Sequence, residues 1–245
     1  MKQNIRKPFR VAIILAAIIL FMSNCSINPV IRFYRDNLAR YADSTAVKQI
    51  VFVMHHGEAS DAHVVMYCRD GRRWRETLRC EGYVGKNGIG KLREGDGKTP
   101  RGDFGIIQTF GLKPDPGTSL PYFQVEDSHW CCTDSVAYNR IIDIRDCPHQ
   151  CEGEHLIKYD PAYNYSIFLD YNKDCVIGAG SAIFFHCKSR RARGTAGCVA
   201  VDEDDMAGIL RTLDINARII IESEANLQVV QCHTLGRYHK KILNP

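Results

Sequence analysis

"FFHCKSRRARGTAGCVAV", residues 184–201, sets a histidine, His186, and a cysteine, Cys198, twelve positions apart. Between them lie Lys188, Arg190, Arg191 and Arg193, then the small-residue turn Gly194-Thr195-Ala196-Gly197. A thiolate is a strong nucleophile, but an ordinary cysteine is only a few per cent ionised at neutral pH. A neighbouring imidazole takes its proton and later returns it to a leaving group. The turn before Cys198 leaves Gly197 without a side chain to obstruct a substrate carbonyl. The amides of Gly197 and Cys198 are then placed to face a developing oxyanion. This predicts a Cys198 thiol whose pKa is depressed in dependence on His186. Composition alone also allows a disulfide cysteine beside a chance histidine.

Outward from this stretch the chain reads as mostly β. "SAIFFHC" (181–187) is a short apolar strand ending near His186. "VKQIVFVMHH" (47–56) and "DAHVVMYCRD" (61–70) are β-branched and partly alternating. "RRWRETLRCEGYVG" (72–85) pairs back through a turn at Asp70-Gly71, which sets Cys68 opposite Arg73 and not Cys80. Residues 85–103 are glycine-rich loop. "FGIIQTFG", "YSIFLDYN" and "ARIIIE" add strands. "DEDDMAGILRTL" (202–213) is the clearest helix: Met206, Ile209, Leu210 and Leu213 share a face, and acids fill its first turn. No internal repeat is present. The expected organisation is a secretion signal or anchor over 1–31, a polar linker or short helix over 32–46, a catalytic domain over 47–222 and a tail over 223–245.

The first residues place the chain. Lys2, Arg6, Lys7 and Arg10 precede the 12-residue apolar run Val11–Met22, the pattern of a secretory signal. The run is short for a spanning helix, which needs roughly 20 residues. An uncleaved anchor, lipidation at Cys25 in "MSNC", and simple cleavage all remain open. Each places the rest outside the cytoplasmic membrane, with membrane contact through the N-terminal segment in the first two. These four cations equal the whole net charge of +4, so the folded part has no basic footprint for nucleic acid. Outside the cytoplasm disulfides persist, and eleven cysteines predict at least two of them.

Two motifs point elsewhere and are set aside. "GKNGIGKL" (85–92) nearly spells a phosphate loop but has Leu92 where a hydroxyl should reach magnesium, so no nucleotide is expected. His55, His56 and His63, or Cys147, His149, Cys151 and His155, suggest metal, yet the Cys-x3-Cys-x3-His spacing is not a usual zinc signature. We expect neither metal nor cofactor in the site.

"FFHC…GTAGCVAV" resembles the active-site motif of the L,D-transpeptidase family, the YkuD-type domain: His, a spacer, Ser or Thr, any residue, Gly, Cys. "GDGKTPRGDFGI" (95–106) resembles the family's Thr-Pro-x-Gly-x-Phe segment through Thr99, Pro100, Gly102 and Phe104. The likeness covers roughly residues 47–222, and the Cys-x-Ala ending is similar to one branch of the family. It implies a mainly β catalytic domain, a curved sandwich or barrel-like sheet with few helices and one helix after the nucleophile. It implies action on peptidoglycan stem peptides: the cysteine attacks the L-centre carbonyl of diaminopimelate, D-alanine leaves, and an amine resolves the thioester into a 3→3 cross-link. By residue, Cys198 is nucleophile, His186 base and acid, Gly197 and Cys198 supply oxyanion amides, and Thr195 shapes the turn. Ala200 stands where many members carry a substrate-placing arginine, so Arg190, Arg191 and Arg193 become candidates to hold substrate carboxylates. A carboxypeptidase or endopeptidase on the same scaffold is the alternative. A non-catalytic wall-binding protein is a third, opposed by the reactive thiol.

Overall fold

The computed structural model describes residues 28–229 apart from Glu58 and Arg191. The apolar run, Cys25, Arg191, Cys232 and most of the expected tail lie outside the described residues. The chain divides into two compact units, the larger spanning 40–226. In the smaller unit the described residues are 28–39 and 227–229. There the helix α1 (Pro29–Arg40) starts where the Asn28 side chain accepts the Val30 amide, with Pro29 in the first turn. A helix thus occupies part of the expected linker. Among the described residues no helix is long and apolar enough to cross a membrane.

The larger unit opens with β1 (Gln49–His55), β2 (Asp61–Asp70) and β3 (Arg73–Tyr83). β4 (Gly102–Phe104), β5 (Ile106–Gly111) and β6 (Tyr122–Gln124) follow the glycine-rich loop. β7 (His129–Cys132), β8 (Arg140–Asp143) and β9 (Gly153–His155) form a separate antiparallel sheet in the order β8-β7-β9. β10 (Ser166–Leu169), β11 (Phe184–Cys187), β12 (Val199–Val201), the helix α2 (Glu203–Thr212) and β13 (Arg218–Ser223) complete the unit. The other ten strands make one curled mixed sheet, β4-β13-β1-β2-β3-β12-β11-β10-β5-β6. The fold is mainly β, of the YkuD sandwich type.

The β2–β3 hairpin corrects one expectation. Asp70 pairs with Arg73, so the turn is Gly71-Arg72, and Cys68 faces Arg75 while Cys80 faces Val64. Gly71 has φ +60°, which suits the first central position of a type II′ turn. Gly71 is in the turn as expected, but the turn itself lies one residue further along the chain.

Side-chain alternation along β11 creates two cores. Phe185 and Cys187 join the main core with Val199, Val201 and the α2 face of Met206, Ile209 and Leu210. Phe184 points the other way, into a second cluster with Phe110, Tyr163, Phe168, Leu156 and Cys198. Covered on both faces, this strand has to be an apolar run rather than an alternating one. Each such side chain, fully buried, is worth about 1.5–3 kcal/mol.

Candidate active site

His186 shares Phe184's face of β11, because successive strand residues alternate. β12 runs parallel to β11 with Ala200 in register with His186. Cys198, two residues earlier, therefore projects from the same side. Both residues line a cleft of about 150 Å³, together with Tyr83, Glu154, Tyr163, Thr195 and Ala200.

The imidazole is oriented by backbone. His186 Nδ1 lies 2.7 Å from the Cys187 carbonyl oxygen. A carbonyl only accepts, so Nδ1 carries the proton and Nε2 keeps the lone pair. The Tyr163 ring packs edge-on against the imidazole at 5.4 Å. Burial lowers the His186 pKa to about 4, opposed by the bond to Cys187. The imidazole is neutral at neutral pH.

The thiol is held on its other side. Cys198 Sγ donates to the Ala182 carbonyl at 3.2 Å and accepts the Phe184 amide at 3.3 Å. Ala182 has φ +52°, a left-handed conformation costly for a residue with a Cβ, and this kink belongs to the residue that offers its carbonyl to the sulfur. Burial, then the nearby Glu154 charge, pushes the Cys198 thiol up to about 12. The expected depressed pKa is thus reversed: burial favours the neutral form of both groups.

The turn is built as its composition suggests. Gly197 has φ +156°, and a Cβ there would meet the Lys98 carbonyl oxygen at 3.0 Å, Ile183 and Lys91 Nζ at 3.3 Å each. Thr195 Oγ1 donates to the Cys198 carbonyl at 2.7 Å and accepts the Gly197 amide at 3.1 Å. The Gly197 amide is therefore committed to Thr195 in this structure, which leaves the amide of Cys198, of the expected pair, as the candidate to face an oxyanion. Thr99 Oγ1 also donates to the Cys198 carbonyl, at 3.0 Å, and accepts the Gly85 amide at 2.7 Å. Two hydroxyls from separate segments thus fix the peptide plane after Cys198. Thr99→Val removes one of them and strands the buried Gly85 amide. The expected loss is about 1–3 kcal/mol of stability, read from urea denaturation, and Thr99→Ser should recover most of it.

The glycine-rich loop serves this turn. Lys91 Nζ is buried and paired with Asp96 at 2.9 Å, while Asp96 also accepts the amides of Leu92, Arg93 and Lys98. The lysine of the near phosphate-loop motif is committed inside the protein.

Other sequence candidates are redistributed. Arg190 and Arg193 are exposed and do not line the cleft, whereas Ser189, Ala192 and Gly194 of the same segment do. His55 turns to the Ala59 carbonyl at 2.7 Å, while His56 and His63 stack at 4.0 Å beside Glu81. His149 and Cys151 come together with Cys132 and Asp134, not with His155. His155 stacks on Trp130 at 4.2 Å and binds the Asp127 carbonyl.

Cys132–Cys151 is a disulfide, and seven other described cysteines are free. The expectation of at least two disulfides is not met among the described residues. Cys131 and Cys187 are buried core side chains, and Cys68 and Cys80 stand at different levels of one hairpin.

Glu154 was missed entirely. It reaches the cleft from β9, accepts a hydrogen bond from Tyr163, and has its pKa raised by burial to about 7. Nothing in "CEGEHL" (151–156) separates it from Glu152 until the direction of β9 is known.

A histidine with one nitrogen fixed by backbone and a buried thiol thus share one cleft of a β-rich domain. The chain belongs to the YkuD family, the L,D-transpeptidase catalytic domain, whose model matches residues 58–221. Among solved structures it is similar to the helical cell shape determining protein Pgp2 from Campylobacter jejuni, with 15% identity, TM-score 0.38, and coverage of 77% of this chain and 55% of that one. It is also similar to Bd1075 of Bdellovibrio bacteriovorus, with 14% identity, TM-score 0.38 and coverage of 78% and 55%. An L,D-transpeptidase from Mycobacterium smegmatis gives 13%, 0.32, and 70% and 58%. The chain spans about half the length of the solved structures it matches. No curated protein matches it significantly in sequence. Family membership gives it the L,D-transpeptidase catalytic fold.

Proposed function

We propose that this protein is an exported cysteine acyltransferase that acts on peptidoglycan stem peptides through a thioester at Cys198. The observation that carries this reading is the common cleft of His186 and Cys198, with Nδ1 bound to Cys187 and Nε2 left basic. The thiol proton passes to Nε2 as sulfur attacks the L-centre carbonyl of diaminopimelate. Collapse breaks the C–N bond, and His186 returns the proton to the departing D-alanine amine. The Cys198 amide stabilises the oxyanion. An acceptor amine then displaces the thiolate, giving a 3→3 cross-link.

Hydrolysis of the same thioester is the second reading, favoured by Ala200. This residue lines the cleft and offers no charge to hold a carboxylate while an amine competes with water. Arg190 and Arg193 stand on the exposed segment beside the cleft and would meet only substrate that extends beyond it. Export, and attachment through the N-terminal segment, belong to the same proposal and rest on the apolar run after Arg10.

Muropeptide mass spectrometry with purified protein and its Cys198→Ala variant tests the reading. Transfer yields new 3→3 dimers and free D-alanine; hydrolysis yields shortened stems alone. Neither product, or equal product from Cys198→Ala, ends the proposal.

A further inference from the structure

The small sheet carries a second cluster that the acyl-transfer chemistry does not use. Donor atoms of Cys132, Asp134, His149 and Cys151 all lie within 4.8 Å of one another. Their side chains are largely buried; those of His149 and Asp134 are 13% and 12% exposed. His149 Nδ1 sits 2.9 Å from the Cys147 carbonyl, so it donates there. Nε2 then faces Cys132 Sγ at 3.7 Å and Asp134 Oδ2 at 3.3 Å. A neutral imidazole in that tautomer would direct its lone pair at a carboxylate. Two arrangements relieve the conflict without moving a donor: a proton on Nε2 shared with Asp134, or a cation between the donors.

The distances fit the second. Tetrahedral zinc with Zn–N and Zn–O near 2.0–2.2 Å and Zn–S near 2.3 Å has N···O edges of roughly 3.4 Å and N···S edges of roughly 3.6 Å. A histidine whose other nitrogen donates to a backbone carbonyl is the usual form of a zinc ligand. Asp134 is held by the amides of Val136, Ala137 and Glu152, which fixes its carboxylate. Only the two sulfurs are out of place, because they are bonded to each other.

We propose that, once the Cys132–Cys151 disulfide is reduced, Cys132, Cys151, His149 and Asp134 bind one zinc ion. A dithiol donor supplies the two electrons and two protons that convert the disulfide into two thiols, and is itself oxidised to a disulfide. Zinc then displaces both thiol protons. The small sheet is thereby closed by either a covalent bond or a metal. The closure adjoins the catalytic cleft, since Cys132 pairs with Gly153 and Cys131 with Glu154 across β7 and β9.

The test uses the full chain, reduced anaerobically with a phosphine and titrated with cobalt(II), then zinc(II). About one equivalent of cobalt should give a thiolate charge-transfer band and tetrahedral visible bands, which zinc abolishes. The oxidised protein should give neither. Cys132→Ser with Cys151→Ser should remove the bands, His149→Ala should weaken binding at least about tenfold, and Cys147→Ser should leave it intact. A reduced protein that stays folded by circular dichroism and takes up no metal overturns the proposal. So does a spectrum unchanged in His149→Ala, which would locate the metal on other thiols. If reduction unfolds the protein, zinc must restore the native signal, and failure to do so counts equally against the site.

Discussion

His186→Ala should lower kcat/KM for D-alanine release by about 100- to 10,000-fold, the range general-base catalysis supplies. The reason lies in the resting protonation states. Burial holds the thiol near 12 and the imidazole near 4, so neither ionises by itself at neutral pH. A thiol with a pKa of about 12 is roughly one part in 100,000 thiolate at pH 7, from the gap of five pKa units. Attack therefore depends on transfer to Nε2 during the reaction. In the variant, hydroxide must do this work, and the residual rate should climb about tenfold per pH unit between roughly pH 7 and 10. The wild type should be far flatter. A variant within about threefold of wild type at pH 7 would remove His186 from the role of base. Cys198→Ser separates nucleophile from base, because a serine there keeps the hydrogen bonds to Ala182 and Phe184 but ionises far less readily.

The neutral pair also shows where sequence reading stops. The spacing of His186 and Cys198 and the Thr-x-Gly-Cys turn were legible because each depends on local chemistry: a strand face, a glycine at φ +156°, a hydroxyl that closes a turn. The helix after Cys198 was legible from the shared face of Met206, Ile209 and Leu210. The direction of the Cys198 pKa shift was not. It depends on desolvation by the second core cluster, whose members come from strands far apart in the chain. The sheet β8-β7-β9 was missed for a related reason: its strands have three or four residues each, too few for periodicity to register. With it went Glu154 and the true partners of His149. Thr99 lay between these extremes, since its motif was visible but its bond to the Cys198 carbonyl joins residues 99 apart in sequence.

Glu154→Gln should make the protein more stable than wild type at pH 8 and little different at pH 4. Burial, with a smaller contribution from Glu94, raises the Glu154 pKa from 4.5 to about 7. The folded state therefore holds this proton more tightly than the unfolded chain does. Its contribution is fully present below about pH 4.5, is lost as pH rises through 7, and changes no further above that. A shift of this size corresponds to about 3 kcal/mol at most. Glutamine keeps an oxygen to accept the Tyr163 hydroxyl but cannot ionise. The His186 shift has the opposite sign, destabilising the fold as pH falls from about 6.5 toward 4. It is common to both proteins and cancels in the difference. Urea midpoints at pH 4, 6 and 8 should show the variant's advantage growing with pH, by about 1–3 kcal/mol overall. The Glu154 charge also helps to raise the Cys198 thiol, so Glu154→Gln should speed iodoacetamide alkylation of Cys198 at pH 8 more than at pH 5. A difference in stability that does not vary with pH would mean that Glu154 ionises normally in the cleft, and the thiol would then owe its high pKa to burial alone.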